Sequence, residues 1–169
     1  MFDMKAFGWN AFFEGEYLKL KTEETNFGRI TADYGQKLRM ITEEGELFAN
    51  RDPHQGSMEV QPAVGDWVAY KRPYTYSEPQ IIGVLGRKTK FSRAAAGIEV
   101  REQVVAANMD YVFIMQSLND NFNIRRLERY LIAAWESGAM PVIVLTKGDK
   151  GGRCEGQTYN NAQGAGSAA

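Results

Sequence analysis

The sequence predicts a small all-β barrel followed by the opening of an α/β domain. Three observations predict it. About five short apolar segments, separated by glycine-containing turns, fill residues 26–107. The period then changes at residue 108 to strand, helix, strand. Finally, the apolar run Pro141–Leu145 ends in Thr146-Lys147-Gly148-Asp149, a polar loop with a carboxylate.

The chain begins with a mixed stretch, residues 1–25. Trp9, Phe12, Phe13, Tyr17, Leu18 and Leu20 are spaced loosely like one face of a helix, so a helical lead-in is expected. Gly28–Asp33 begins the β region and turns at Tyr34-Gly35. Leu38–Thr42, a turn at Glu44-Gly45 and Leu47–Asn50 follow. Asp52–Ser57 reads as a loop broken by Pro53 and Gly56. Val64–Tyr70 and Gln80–Leu85 complete the set, and Gly83 inside the last strand signals a bulge or a tight bend. An SH3-like barrel or a small sandwich would give a similar pattern, and the pairing order is not legible.

Residues 108–149 form the second unit. Tyr111–Met115 is a nearly continuous apolar run, the mark of a strand covered on both faces. Asn119–Asn123 supplies capping residues for a helix over Ile124–Ser137. Ile124, Leu127, Leu131, Ala134 and Trp135 share its apolar face, and Gly138 stands where a left-handed cap ends it. Pro141–Leu145 is the second strand, so the two strands are expected to be parallel. Residues 150–169 contain no Leu, Ile, Val, Phe, Met or Trp, and disorder is expected there.

The bulk numbers narrow the classes. The 169 residues carry a net charge of −1, with 44% hydrophobic and 24% charged residues, as in soluble globular proteins. One cysteine, Cys154, and one histidine, His54, exclude a disulfide framework and an intrachain zinc cluster. There is no secretory signal and no apolar run of membrane length, so a cytoplasmic location is expected.

Two features carry chemistry. A carboxylate beyond the end of a parallel strand accepts two hydrogen bonds from the guanine edge, a donor pair that adenine lacks. Asp149 would read the base, Lys147 would lay its aliphatic stem along the ring, Thr146 would hold the loop, and Gly148 gives the backbone freedom. The bare tetrapeptide is weak; its placement after an apolar strand and a capped helix strengthens it. The second feature is basic. Between Lys71 and Arg101 lie Lys71, Arg72, Arg87, Lys88, Lys90, Arg93 and Arg101, against only Glu78 and Glu99. Arg87, Lys88, Lys90, Phe91 and Arg93 suit phosphate contact and base stacking on RNA; a solvated loop is the plainer alternative. His54 reads as an exposed loop residue, and Trp67, by its alternation, as core rather than a base-stacking aromatic beside Tyr70, Tyr74 and Tyr76. No Gly-x-x-x-x-Gly-Lys-Ser/Thr loop occurs to cradle phosphates, and no loop places an Asp for magnesium.

Long collinear strings then match a known family. Ala63–Val68, Arg87–Arg93, Glu102–Asp110, Leu127–Leu131 and Val142–Asp149 resemble the ribosome small-subunit-dependent GTPase A family (RsgA, or YjeQ), over most of residues 1–149. The resemblance implies an OB-fold barrel, then a circularly permuted P-loop GTPase domain in which the guanine-reading segment precedes the phosphate loop. It implies GTP as ligand and a role in late assembly of the small ribosomal subunit, with the subunit and its rRNA as partners. Thr146, Lys147 and Asp149 become guanine contacts, Thr146 replacing the commoner Asn, and Gly148 takes the variable position. The phosphate loop, the switch segments and the family's magnesium and zinc sites are absent from these 169 residues. A truncated chain, inactive in GTP hydrolysis by itself, is therefore expected. It should be monomeric, without affinity for membrane or DNA. Two other readings stand beside it: a non-catalytic RNA-binding barrel, and a non-functional truncated product.

Overall fold

The computed structural model describes residues 2–50, 60–72, 74, 77–94, 102–119 and 121–148. The expected loop Asp52–Ser57, with His54, lies outside the described residues, as do Tyr76, Arg101, Asp149, Cys154 and the expected disordered tail.

The lead-in is a 3-10 turn, Met4–Phe7, followed by helix α1, Ala11–Leu20. Asn10 starts α1 by accepting from Phe12 N at 3.1 Å. Only Phe13 and Tyr17 of this helix are buried; Phe12 and Leu18 stay exposed.

Five strands follow: β1 (Thr25–Asp33), β2 (Lys37–Thr42), β3 (Gly45–Asn50), β4 (Trp67–Lys71) and β5 (Gln80–Val84). They form one antiparallel sheet in the order β3-β2-β1-β4-β5. The edge strands β3 and β5 also come into contact. The expected irregularity at Gly83 is present: Ala69 pairs with Gly83 but Tyr70 pairs with Ile81, which leaves Ile82 as the extra residue of a bulge.

Strand β4 is buried on both faces. Val68 and Tyr70 pack with Ile30, Leu38, Met40, Ala49 and Ile81. Trp67 and Ala69 point the other way, into a second core with Met4, Phe13, Tyr17, Ile41 and Leu85. Trp9 stacks on Phe27 at 4.0 Å between centroids and meets Trp67 edge-on at 4.8 Å. The lead-in is therefore the lid of this second core, and Trp67 is core, as its alternation indicated.

Residues Lys90–Ala94 (β6) and Glu102–Ala107 (β7) form a separate antiparallel pair rather than joining the larger sheet. Among the described residues, an isolated bridge, Val64 with Ala106, joins this pair to the segment that leads into β4. The final unit is β8 (Tyr111–Ser117), α2 (Ile124–Glu136) and β9 (Met140–Thr146), with β8 and β9 parallel in register from Tyr111–Met140 to Ser117–Thr146. Asn123 caps α2 by accepting from Arg126 N at 3.0 Å, and Gly138 ends it at φ +84°.

One expectation fails here. Strand β8 is covered on one face only. Ile114 and Gln116 are buried on the α2 side, whereas Phe113 is 65% and Met115 69% exposed. The physical reason is that, among the described residues, one helix and one neighbouring strand are all that packs against it. No helix among them is long and apolar enough to cross a membrane.

Candidate functional site

The loop expected to read the base begins where β9 ends, at Thr146. Ser117 and Thr146 are register partners, so the loops leaving both parallel strands start side by side. Leu118 N donates to Thr146 O at 2.8 Å, which ties them together. Ser117 Oγ bonds Asn119 Oδ1 at 2.9 Å and holds the neighbouring loop. The N-terminus of α2 opens at this same end: Gln116 Nε2 donates to Asn123 O at 3.2 Å. Lys147 is exposed and sits at φ +57°, a conformation that non-glycine residues adopt at a cost. A Cβ added to Gly148 would meet nothing within 4 Å, so this glycine is not demanded by space. Thr146, Lys147 and Gly148 are thus placed at the carboxyl end of the sheet, where ligands bind in α/β folds. The fourth residue, Asp149, lies outside the described residues.

The basic segment divides into two kinds of residue. Arg87 donates from Nε to Asp66 Oδ1 at 2.8 Å and from Nη2 to Asp66 Oδ2 at 2.6 Å. It also donates to Gln61 O at 2.8 Å. Asp66 is fully buried and Arg87 largely so. That guanidinium is committed inside the protein, and phosphate contact would have to break a two-pronged pair. Lys88 and Lys90 are exposed, and Phe91 is half-buried. Arg93 is exposed and donates to Gln103 Oε1 at 3.3 Å. These four lie on β6 or just before it.

A polar hub, unseen in the sequence, surrounds Arg87. Asp66 Oδ2 also accepts from Ala63 N at 2.8 Å. Asn108, at φ +54°, accepts from Lys88 N at 2.8 Å and donates to Gly65 O at 3.2 Å. Arg29 donates to Gly65 O, to Asn108 O and to Phe7 O. Burial pushes the Arg29 guanidinium below its ordinary value, while the nearby carboxylates of Asp110 and Asp66 hold it up. Thr89 Oγ1 donates to Met109 O at 2.8 Å and accepts from Met109 N at 2.7 Å. Lys90 N then donates to Ser137 O at 3.0 Å, at the end of α2. The hub therefore joins the five-stranded sheet to the strand–helix–strand unit. Gly65 is essential to it. It sits at φ +91°, and a Cβ there would lie 2.0 Å from Ala107 O. The signal available in the sequence was Gly65-Asp66 immediately before a core tryptophan; the partner Arg87 is remote in sequence, and nothing local announced it.

Among the described residues, no group of three His, Cys, Asp or Glu side chains gathers to hold a metal ion.

Comparison with known proteins agrees with this geometry. The model of the RsgA GTPase family matches residues 84–166. A small ribosomal subunit biogenesis GTPase, RsgA 1 of Listeria innocua, is 43% identical over 149 residues, covering 86% of this chain and 40% of that protein. RsgA 2 of Vibrio parahaemolyticus is 38% identical over 146 residues, covering 86% and 38%. The crystal structure of YloQ, described as a circularly permuted GTPase, overlays with a TM-score of 0.55 at 18% identity, covering 75% of this chain and 42% of that one. YjeQ from Thermotoga maritima gives 0.56 at 20% identity, covering 74% and 42%. At such identities the two structures speak to fold alone. The chain spans about 40% of the length of the curated relatives it matches. With the matched strings, the parallel β8–β9 pair and these relatives taken together, the chain belongs to the RsgA GTPase family.

Proposed function

We propose that this chain carries the guanine-reading end of a GTP-binding domain, joined to an RNA-contacting barrel, and serves in biogenesis of the small ribosomal subunit in the cytoplasm. The observation that carries the reading is the loop after β9. It leaves the carboxyl end of a parallel strand, is tied to the β8 loop through Leu118 and Thr146, and holds Lys147 at positive φ. Strained residues of this kind concentrate at functional loops. In this reading Thr146 fixes the loop, Lys147 flanks the base, Gly148 is the tolerant position and Asp149 selects guanine. Membership of a family named for its GTPase supports GTP as the ligand.

The barrel is of the OB type. Its support is the sheet order β3-β2-β1-β4-β5 with the two edge strands in contact, a five-stranded arrangement that nearly closes on itself. We assign residues 26–107 to the barrel and its appended hairpin, and 108–149 to the opening of the GTPase domain. RNA contact falls to Lys88, Lys90, Phe91 and Arg93; Arg87 supports them from inside through Asp66. The chain acts as a monomer on the small subunit and its rRNA, and without a phosphate-cradling loop it does not turn GTP over unaided.

The test is equilibrium binding of fluorescent guanine and adenine nucleotides to the full chain. Guanine preference is expected, lost on Asp149→Ala. Equal binding of both bases by the parent chain overturns the assignment. For the barrel, rRNA affinity should fall steeply with salt and weaken on Lys90→Ala and Arg93→Ala. Salt-indifferent binding overturns that part.

A further inference from the structure

Between the five-stranded sheet and the strand–helix–strand unit lies a cavity of about 400 Å³, in the range that holds a small ligand. Its walls come from both sides: Arg29 and Trp67 from the sheet, Lys88 from the crossing segment, and Asp110, Tyr111 and Met140 from the second unit. Two cations thus face one carboxylate. The three hydrogen-bond acceptors of Arg29 are neutral carbonyls, and no hydrogen bond joins it to Asp110 among the described residues. The Lys88 ammonium stands 5.2 Å and 5.3 Å from the ring centroids of Phe12 and Phe13, and no carboxylate among the described residues pairs with it. Its aromatic neighbours attract a cation but leave all its donors unused. Tyr111 and Met140, register partners at the first positions of β8 and β9, lie side by side and are each more than half exposed.

We propose that this cavity binds a small aromatic anion, a phosphate or carboxylate carried on a single flat ring system. The ring lies on the Tyr111–Met140 shelf, where an aromatic face and a thioether favour flat apolar groups. The anion turns toward Lys88 and Arg29, which supply charge-assisted hydrogen bonds. Asp110 opposes it. The site is separate from the base-reading loop: Tyr111 and Met140 begin their strands and Thr146 ends one, about 20 Å away at strand rise. A ligand here touches both structural units and so links them.

The probe is phenyl phosphate, with benzyl alcohol as its neutral counterpart, titrated into the full chain by calorimetry and ligand-detected NMR. One saturable site is expected for the anion, with much weaker binding of the alcohol. Lys88→Gln should weaken it about fivefold, and Asp110→Asn should tighten it about twofold. Both side chains are exposed, so melting curves should not move. GTP should not displace the probe, which separates this site from the guanine loop. No saturation by about 10 mM, equal binding of the alcohol, displacement by GTP, or affinities that ignore both substitutions would each overturn the assignment.

Discussion

Strands β4 and β8 are both short and apolar, and they end in opposite surroundings. Every side chain of β4 from Trp67 to Tyr70 is buried, two in each of two cores. In β8 the alternation splits: Ile114 and Gln116 are covered by α2, while Tyr111, Phe113 and Met115 face outward. Apolar composition states that a strand needs cover, and it does not state where the cover comes from. For β4 it comes from the lead-in, through Trp9, Phe13 and Tyr17. For β8 the described residues provide one helix, and the relatives that this chain matches are more than twice as long.

The largest test of that contrast is a pair of truncations. Trp67→Ala should cost about 3–5 kcal/mol, as a fully buried aromatic does, whereas Phe113→Ala should change stability by less than about 0.5 kcal/mol. Urea midpoints measure both, and comparable losses would break the comparison. Next comes Arg87→Ala, expected to cost about 3 kcal/mol because Asp66 is left buried and uncompensated. A loss below about 1 kcal/mol, the scale of a surface pair, would place Arg87 in solvent and return it to the RNA-facing set. On the other side, Asn123→Ala should remove about 1 kcal/mol by uncapping α2, visible as loss of helical circular dichroism.

The smallest effect is a pH dependence confined to the β4 side. Burial raises the Tyr17 phenol, helped by Glu43, and burial is likewise the main cause of the raised Tyr70 phenol. The folded chain therefore holds these protons more tightly than the unfolded chain. Their contribution is complete below the unfolded value, near about pH 10, and is lost as pH rises through the folded values. Tyr17→Phe should flatten this alkaline decline at the expense of the hydrogen bond from Tyr17 to Thr25 O, about 1 kcal/mol at neutral pH. An unchanged alkaline slope in a variant carrying both Tyr17→Phe and Tyr70→Phe would sink the assignment.

Much of the fold was legible because its signals are local. The turns at Tyr34-Gly35 and Glu44-Gly45, the 3.6-residue period of α2 and its stop at Gly138 all depend on neighbours in sequence. The bulge beside Gly83 belongs to the same class. What escaped was set by partners far along the chain. Lys90–Ala94 stands out in the sequence for its charge, and its pairing with Glu102–Ala107 has no local signal. Arg87 has the composition of a phosphate contact and the position of a strut, and only Asp66 in space distinguishes them. The position of Thr146, Lys147 and Gly148 at the end of β9 was legible because the apolar run Pro141–Leu145 stops there. The Lys88–Tyr111–Met140 cavity has no motif, since it is made by two units meeting.

The parallel pair of β8 and β9 has a consequence in time as well as in space. Parallel strands usually await distant segments, yet these two are joined by one helix and meet within Tyr111–Thr146. Chains leave the ribosome from the amino end, and local contacts form first. The β8–α2–β9 unit can thus form as soon as Thr146 has emerged, without waiting for a distant segment. On that early unit, the exposed row of Tyr111, Phe113 and Met115 is the surface that a chaperone would meet.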